Sequence, residues 1–327
     1  MRVLSGIQPS GNLHLGNYFG AIKQHIELQD YAQCFYFIAD YHALTSLKDP
    51  DALRRYTREV AAAYIALGLD PEKAVLYRQS DLSLTPELAW ILGCTAGTGQ
   101  FLRAHAYKDK VSQGAKANMG LFTYPLLMAA DILIFKATHV PVGKDQAQHL
   151  EMTCDIAGSF NATYGDILVK PEVLFSEAPY VPGTDGQKMS KSYGNTIPIF
   201  SESSSALKKA ISAIVTDSKD PRKEALDPTT CNAFALFKLF AKEQEVREME
   251  AAYRNAPTCS FPGYGEIKKR IHYYMQCLFG DATTRYYELL KPTSELDDIL
   301  HEGSHRAMDV ALDTLRECQK AVGLGKA

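Results

Sequence analysis

No apolar run in this 327-residue chain reaches the ~18 residues that a bilayer-spanning helix requires, so no transmembrane helix is expected. Nor is a signal or transit peptide expected, because Met1-Arg2-Val3-Leu4-Ser5-Gly6 enters a strand-like run at once. Charge of one sign is not in excess either: 35 Lys and Arg stand against 38 Asp and Glu, a net charge of −3. Nothing global announces a nucleic-acid binder, yet transient binding needs only a local basic face, so the balance excludes neither reading. Closely spaced cysteines are missing. The seven present (Cys34, Cys94, Cys154, Cys231, Cys259, Cys277 and Cys318) stand singly, with no CxxC pair and no nearby histidine cluster. That argues against a disulfide framework, a zinc site or an iron–sulfur site, and fits a reducing cytoplasm. Most of the seven read as small buried hydrophobes. Internal repeats and low-complexity segments are also lacking.

What is present is the balance of a soluble globular protein, with 46% hydrophobic and 22% charged residues. The length suggests one large domain and a smaller second one. Strand-like runs at Val3 to Ser5, Cys34 to Ala39 and Ala74 to Tyr77 alternate with helical segments at Gly16 to Gln29, Asp51 to Leu67 and from Thr85. Such alternation predicts a parallel sheet with helices on its faces. Gly97 to Asn118 lacks periodicity and reads as a mobile loop; a helix over Tyr124 to Lys136, a strand and turn at THVPVG and a helix over Asp145 to Phe160 follow. Glu177 to Pro198, rich in Gly, Pro, Ser and Lys, reads as an exposed loop rather than core. Beyond Phe200 strand signals vanish and amphipathic helices take over, as in Ile267 to Leu290 and Ser294 to Val322. The expected class is therefore α/β: a Rossmann-type parallel-sheet domain over residues 1–195, then an all-helical domain over 196–327.

Two segments carry chemistry. Ser5-Gly6-Ile7-Gln8-Pro9-Ser10-Gly11-Asn12-Leu13-His14-Leu15-Gly16-Asn17 joins the first strand to the first helix. Ligands of parallel sheets collect at such junctions, where helix N-termini suit phosphate. Gly11 and Gly16 allow close backbone approach, and His14 and Asn17 supply hydrogen-bond donors; an ordinary capped Gly-rich turn is the other reading. The second segment is Lys188-Met189-Ser190-Lys191-Ser192, flanked by Gly186 and Gly194. Two ammonium groups on a mobile loop are suited to neutralising a leaving pyrophosphate.

KMSKS downstream of HLGN resembles the class I aminoacyl-tRNA synthetases. SGIQPSG, DYHALT (Asp40 to Thr45), LFTYPLLMAADILIF (Leu121 to Phe135), VPVGKDQAQHLE (Val140 to Glu151) and AIVTDS (Ala213 to Ser218) narrow the resemblance to the tryptophanyl-tRNA synthetases, over nearly the whole chain. The resemblance implies a homodimer that uses L-tryptophan, tRNA(Trp) and ATP with Mg2+, with no structural metal. It places Gln8, Pro9, Ser10, Gly16 and Asn17 on ATP, Gly143, Lys144 and Asp145 on the ribose side, and Val181 on the adenine side. Lys188, Met189, Ser190, Lys191 and Ser192 would close over the phosphates, with Lys110 as an extra phosphate ligand. His14, Asn17, Lys188 and Lys191 would be the catalytic set for in-line attack of the tryptophan carboxylate on the α-phosphorus, and the 2′-OH of the tRNA would then take the aminoacyl group from the adenylate.

For the amino acid, the resemblance assigns Tyr124 and Gln146 to the ammonium group and Asp131 to the indole N–H. Met128 would pack on the ring, and His42 and Gln146 would support tryptophan over tyrosine. Met128 and Asp131 are three apart on one predicted helix and share a face. Without the resemblance Met128 would be helix core, whereas a carboxylate in an apolar helix needs a partner. The chain departs from the family pattern at Leu4, where Phe is frequent, at Lys144, where Glu is frequent, and in a shorter loop between Val181 and Lys188. A tyrosine–tRNA ligase, a regulator that binds without ligating, and a small-molecule nucleotidyltransferase are the rival readings.

Overall fold

The computed structural model describes residues 1–103, 118–143, 147–175, 180–259, 261 and 263–325. Five strands, β1 (Arg2–Ile7), β2 (Gln33–Ile38), β3 (Ala74–Arg78), β4 (His139–Val142) and β5 (Glu172–Phe175), form one sheet in the order β3-β2-β1-β4-β5. Every pairing is parallel, with Leu4 opposite Phe35 and Val3 opposite His139. Parallel strands covered on both faces read as near-continuous apolar runs, which is why β2 is buried from Cys34 to Ile38. The strand order reverses at β1, so the switch point lies between the carboxyl ends of β1 and β4. Strand β5 was not anticipated. It is an edge strand with Glu172 and Phe175 exposed, so its four residues carry little apolar signal.

The helices follow local rules. In α4 (Pro50–Ala66) the Asp49 carboxylate accepts the N–H groups of Asp51 and Ala52 at 2.9 and 3.1 Å, and Pro50 occupies the first turn where no N–H is missed. The expected single helix from Gly16 is instead α1 (Leu15–Asn17), a π-helical turn at Tyr18–Ile22 and α2 (Lys23–Leu28). Gly20, a poor helix former, lies in the widened turn. Helix α5 spans Leu84–Gly93. Within the stretch expected to be a loop, α6 (Thr98–Arg103) is helical; residues 104–117 lie outside the described residues. Helices α7 (Met119–Leu133) and α8 (Ala147–Tyr164) flank β4 in sequence.

The chain forms two compact units. Unit 1 comprises Met1–Gly11, Gln24–Glu177 and Leu289–Ala327. Its core joins Leu4, Phe35, Phe135 and Phe160 to Ala307, Ala311 and Leu315 of the C-terminal helix α13 (Glu295–Ala321). Unit 2 comprises Asn12–Lys23 and Ala178–Glu288. It contains α9 (Ser204–Ser212), α10 (Asn232–Phe237), α11 (Glu243–Arg254) and α12 (Tyr264–Leu289), the last of which ends at the unit boundary. Edge-to-face pairs Tyr18–Phe279 and Phe19–Phe240, at 4.9 and 5.2 Å, tie its early segment to its helices. Compactness therefore does not follow a single cut at residue 195. The terminal helix returns to the sheet, while residues 12–23 join the later half. Of the seven cysteines, all unpaired, only Cys34, Cys231 and Cys318 are buried; Cys94, Cys259 and Cys277 are exposed, so the small-hydrophobe reading holds for fewer than expected.

Candidate active site

Unit 2 brings the two signature segments together. Leu15 N–H donates to the Ile197 carbonyl at 3.0 Å and Ile199 N–H to that of Leu13 at 3.1 Å, so His14 and Pro198 form an antiparallel bridge. The histidine segment is thus stitched to the strand-like stretch that follows Lys188–Ser192. His14 N–H donates to Asn17 Oδ1 at 3.0 Å and Asn17 N–H to the His14 carbonyl at 2.8 Å, closing the turn. This engages the Asn17 carbonyl oxygen and leaves its amide N–H groups as the donor end. The imidazole lies across Gly16, where a Cβ would sit 2.9 Å from His14 Nδ1 and 3.4 Å from Met189 Cβ. Burial, and after it the Lys191 ammonium, push the His14 pKa down to about 4, so the ring is neutral at neutral pH. Its Nδ1 is buried without a hydrogen-bond partner among the described residues.

The KMSKS segment alternates. Met189 is buried, while Lys188, Lys191 and Ser192 are exposed. Met189 N–H donates to the Val181 carbonyl at 2.9 Å, and Pro182 bridges Lys188 in antiparallel fashion. Ser190 Oγ accepts the Ser192 N–H at 3.3 Å at the start of the 3-10 turn Lys191–Tyr193. Val181, Met189, Asn195 and Ile197 are all buried, which corrects the expectation that the whole of Glu177 to Pro198 is exposed. An apolar anchor with charges on either side holds the backbone while the lysine heads face solvent.

Unit 1 carries the amino-acid side of the expectation. Short helix α3 (Asp40–Ala43) follows β2 and presents His42, whose Nε2–H donates to Asp131 Oδ2 at 2.8 Å. Asp131, on α7, is 2% exposed. Burial raises its pKa, opposed by hydrogen bonds from His42 and Gln79. Gln79, just past β3, was missed in the sequence. Its amide nitrogen donates to both Asp131 oxygens at 2.9 and 2.8 Å, and its Oε1 accepts the His42 N–H at 3.3 Å. Only the strand end before Gln79, the same place in the α/β unit that holds Asp40 and His42, could have pointed to it. Tyr124 pairs with His149 through its hydroxyl, and burial pushes its pKa up to about 12. Met128 packs, partly buried, against the core. His42 and Tyr124 border a cleft of about 440 Å3 with Tyr41, Lys48 and Leu127, of a volume suited to small ligands.

Gln8, Pro9 and Ser10 follow β1, and Gly143 follows β4; both positions flank the switch point. Lys110, Lys144, Asp145 and Gln146 lie outside the described residues. Leu4 is buried in β1, and further along that strand the Phe37 ring lies 2.5 Å from where a Cβ on Gly6 would be.

The family model for class I tRNA synthetases of the W and Y type matches residues 1–279. A tryptophan–tRNA ligase of Campylobacter jejuni is 46% identical over 328 residues, covering 99% of this chain and 100% of that one. A tryptophan–tRNA ligase of Rhodopirellula baltica is 47% identical over 325 residues, with the same coverage. The crystal structure of the C. jejuni tryptophanyl-tRNA synthetase complexed with ADP and tryptophan matches with a TM-score of 0.90 at 46% identity, over 99% of this chain and 100% of that chain. The synthetase of Mycoplasma pneumoniae matches with a TM-score of 0.81 at 29% identity, over 99% and 98%. The chain belongs to the class I tRNA synthetases of the tryptophan and tyrosine group.

Proposed function

We infer that this chain is a tryptophan–tRNA ligase, which activates L-tryptophan with Mg·ATP and transfers it to tRNA(Trp). The observation that carries this reading, beside the family, is the antiparallel stitch that holds His14 within Coulombic reach of Lys191. In the first step a carboxylate oxygen of tryptophan attacks the α-phosphorus in line. The new O–P bond forms as the bond to pyrophosphate breaks, giving tryptophanyl-adenylate. A terminal ribose hydroxyl of tRNA, the 2′-OH by the class I resemblance, then attacks the adenylate carbonyl and AMP leaves. No side-chain nucleophile is required; positioning and charge neutralisation supply the acceleration.

Unit 2 carries the residues assigned to the phosphates. Lys188 and Lys191 meet the charge that builds on the leaving pyrophosphate, and neutral His14 hydrogen-bonds a phosphate oxygen without repelling Mg2+. Bound with ATP, Mg2+ would supply further neutralisation of the phosphate charge. By the resemblance, Gln8, Pro9, Ser10, Gly143, Lys144, Asp145 and Val181 would be the nucleotide contacts. In unit 1 Asp131 accepts the indole N–H. A carboxylate offers about four acceptor positions, and His42 with the forked Gln79 amide leaves room for that donor. By the resemblance, Met128 stands where the tyrosine branch usually places glutamine, and an apolar residue there favours tryptophan.

Pyrophosphate exchange with purified protein tests the reading: exchange is expected with tryptophan and ATP, and not with tyrosine. Exchange dependent on tyrosine would move the chain to the other branch, and none with either amino acid would leave a binding protein. We propose on the same resemblance that the enzyme is a homodimer, for which light scattering after gel filtration is expected to give twice the 36.2 kDa chain mass.

A further inference from the structure

We propose that Asn195, braced by Asp185, is the positioning residue that sets the aim of Lys188 and Lys191; the inference rests on the phosphate role given to those lysines above. Asn195 is 2% exposed although it lies in a Gly- and Ser-rich stretch. One side chain there holds three separate points of the loop. Its Oδ1 accepts the Ser190 N–H at 2.8 Å, and its Nδ2 donates to the Lys188 carbonyl at 3.2 Å and to Asp185 Oδ1 at 2.8 Å. Its own carbonyl accepts the Thr184 N–H at 2.9 Å.

Those contacts bracket Met189 on both sides. Residue 189 is anchored in the core, so fixing the carbonyl of 188 and the amide of 190 leaves little freedom in the direction from which the two lysine side chains emerge. The amide of Asn195 is seated by a close approach: a Cβ on Gly183 would fall 2.3 Å from Asn195 Cγ. Asp185 is itself shaped to receive it, with Oδ1 also accepting the Gln187 N–H at 3.0 Å. The hydrogen bond from Asn195 holds the Asp185 carboxyl below the usual carboxylate range, so at neutral pH it is an ionised acceptor facing an amide donor.

An amide at 195 is required because that side chain both accepts and donates. Aspartate is nearly isosteric, and it keeps the acceptor for Ser190. It has no donor, however, and it sets a second carboxylate against Asp185 and the Lys188 carbonyl. Asn195→Asp is therefore expected to lower kcat of tryptophan-dependent pyrophosphate exchange roughly tenfold or more, with KM for tryptophan unchanged. Exchanging the two residues, Asp185→Asn with Asn195→Asp, restores a donor facing an acceptor. It should recover part of the rate, the Lys188 carbonyl staying unpaired and the Gln187 N–H losing the oxygen it shares with Asn195. Asp185→Ala, at an exposed position that will not prevent folding, is expected to slow exchange several-fold.

Lys191→Ala in the same assay separates the two ideas. If it leaves exchange untouched, the phosphate role of the loop is wrong. If it slows exchange while Asn195→Asp and Asp185→Ala both run at the parent rate, the loop acts but Asn195 does not aim it. A slow Asn195→Asp enzyme that the exchange of residues fails to rescue would likewise overturn the pairing.

Discussion

At the scale of single residues, the indole pocket is a question of how a buried carboxylate is kept ready. Asp131 is desolvated, which raises its pKa, and the His42 and Gln79 donors oppose that rise. Removing Gln79 takes away a donor and frees the His42 N–H partner as well. Gln79→Ala is therefore expected to weaken tryptophan use about tenfold in kcat/KM, and Asp131→Ala by more, since a charge-assisted bond is worth ~1.5–3 kcal/mol. Exchange kinetics with tryptophan, tyrosine and phenylalanine read the effect. Intact discrimination in Asp131→Ala would remove that residue from recognition. Lys191→Ala belongs to the other half of the chemistry. Its exchange rate is expected to fall roughly ten- to a hundredfold while tryptophan affinity by calorimetry stays put.

At the scale of elements, the terminal helix is where close packing leaves least margin. Helix α13 lies against β3 at Gly303, where a Cβ would meet the Leu76 carbonyl oxygen at 1.9 Å. The obstacle is backbone of a central sheet, which a rotamer change cannot relieve. Gly303→Ala is expected to cost about 3 kcal/mol, read as a lower urea midpoint; an unchanged midpoint would mean that α13 does not dock there. This docking also marks where legibility ended. Strands β1 to β3, and helices α12 and α13, are written in apolar periodicity. The return of α13 to the sheet is not, because an amphipathic stripe says only that one face is covered and not by what. The lysine segment shows the same limit. KMSKS is plain by eye, and its composition reads as loop, yet the buried Asn195 that organises it is one polar letter among many. Gln79 escaped for the same reason. Side chains whose work is done through other side chains leave no period and no spacing.

At the scale of the whole molecule, two histidines make stability depend on acid, one in each compact unit. His25, fully enclosed, stacks on Tyr36 at 4.7 Å and meets the Tyr64 hydroxyl at 2.8 Å through Nδ1. Burial pushes its pKa down to about 3, and that of His14 stands at about 4. Between those values and the ordinary 6.5, the unfolded chain binds protons that the folded chain refuses. Stability is therefore full above pH 6.5 and is lost as pH falls through the window, by about 1.4 kcal/mol per pH unit for each histidine. Asp131 and Asp40 act in the opposite sense, because burial raises their pKa values and the folded state then holds the proton more tightly. The total curve mixes both signs, so the test must isolate one group. His25→Asn removes one titration and leaves the carboxylates in place. Urea unfolding of the two proteins from pH 7.5 to 4.5 should give a stability difference that is constant above 6.5 and shifts below it in favour of the variant, at about 1.4 kcal/mol per pH unit. A difference that stayed flat to pH 4.5 would mean that His25 takes up its proton in the folded protein, and the enclosure by Tyr36 and Tyr64 would have to open to let it in.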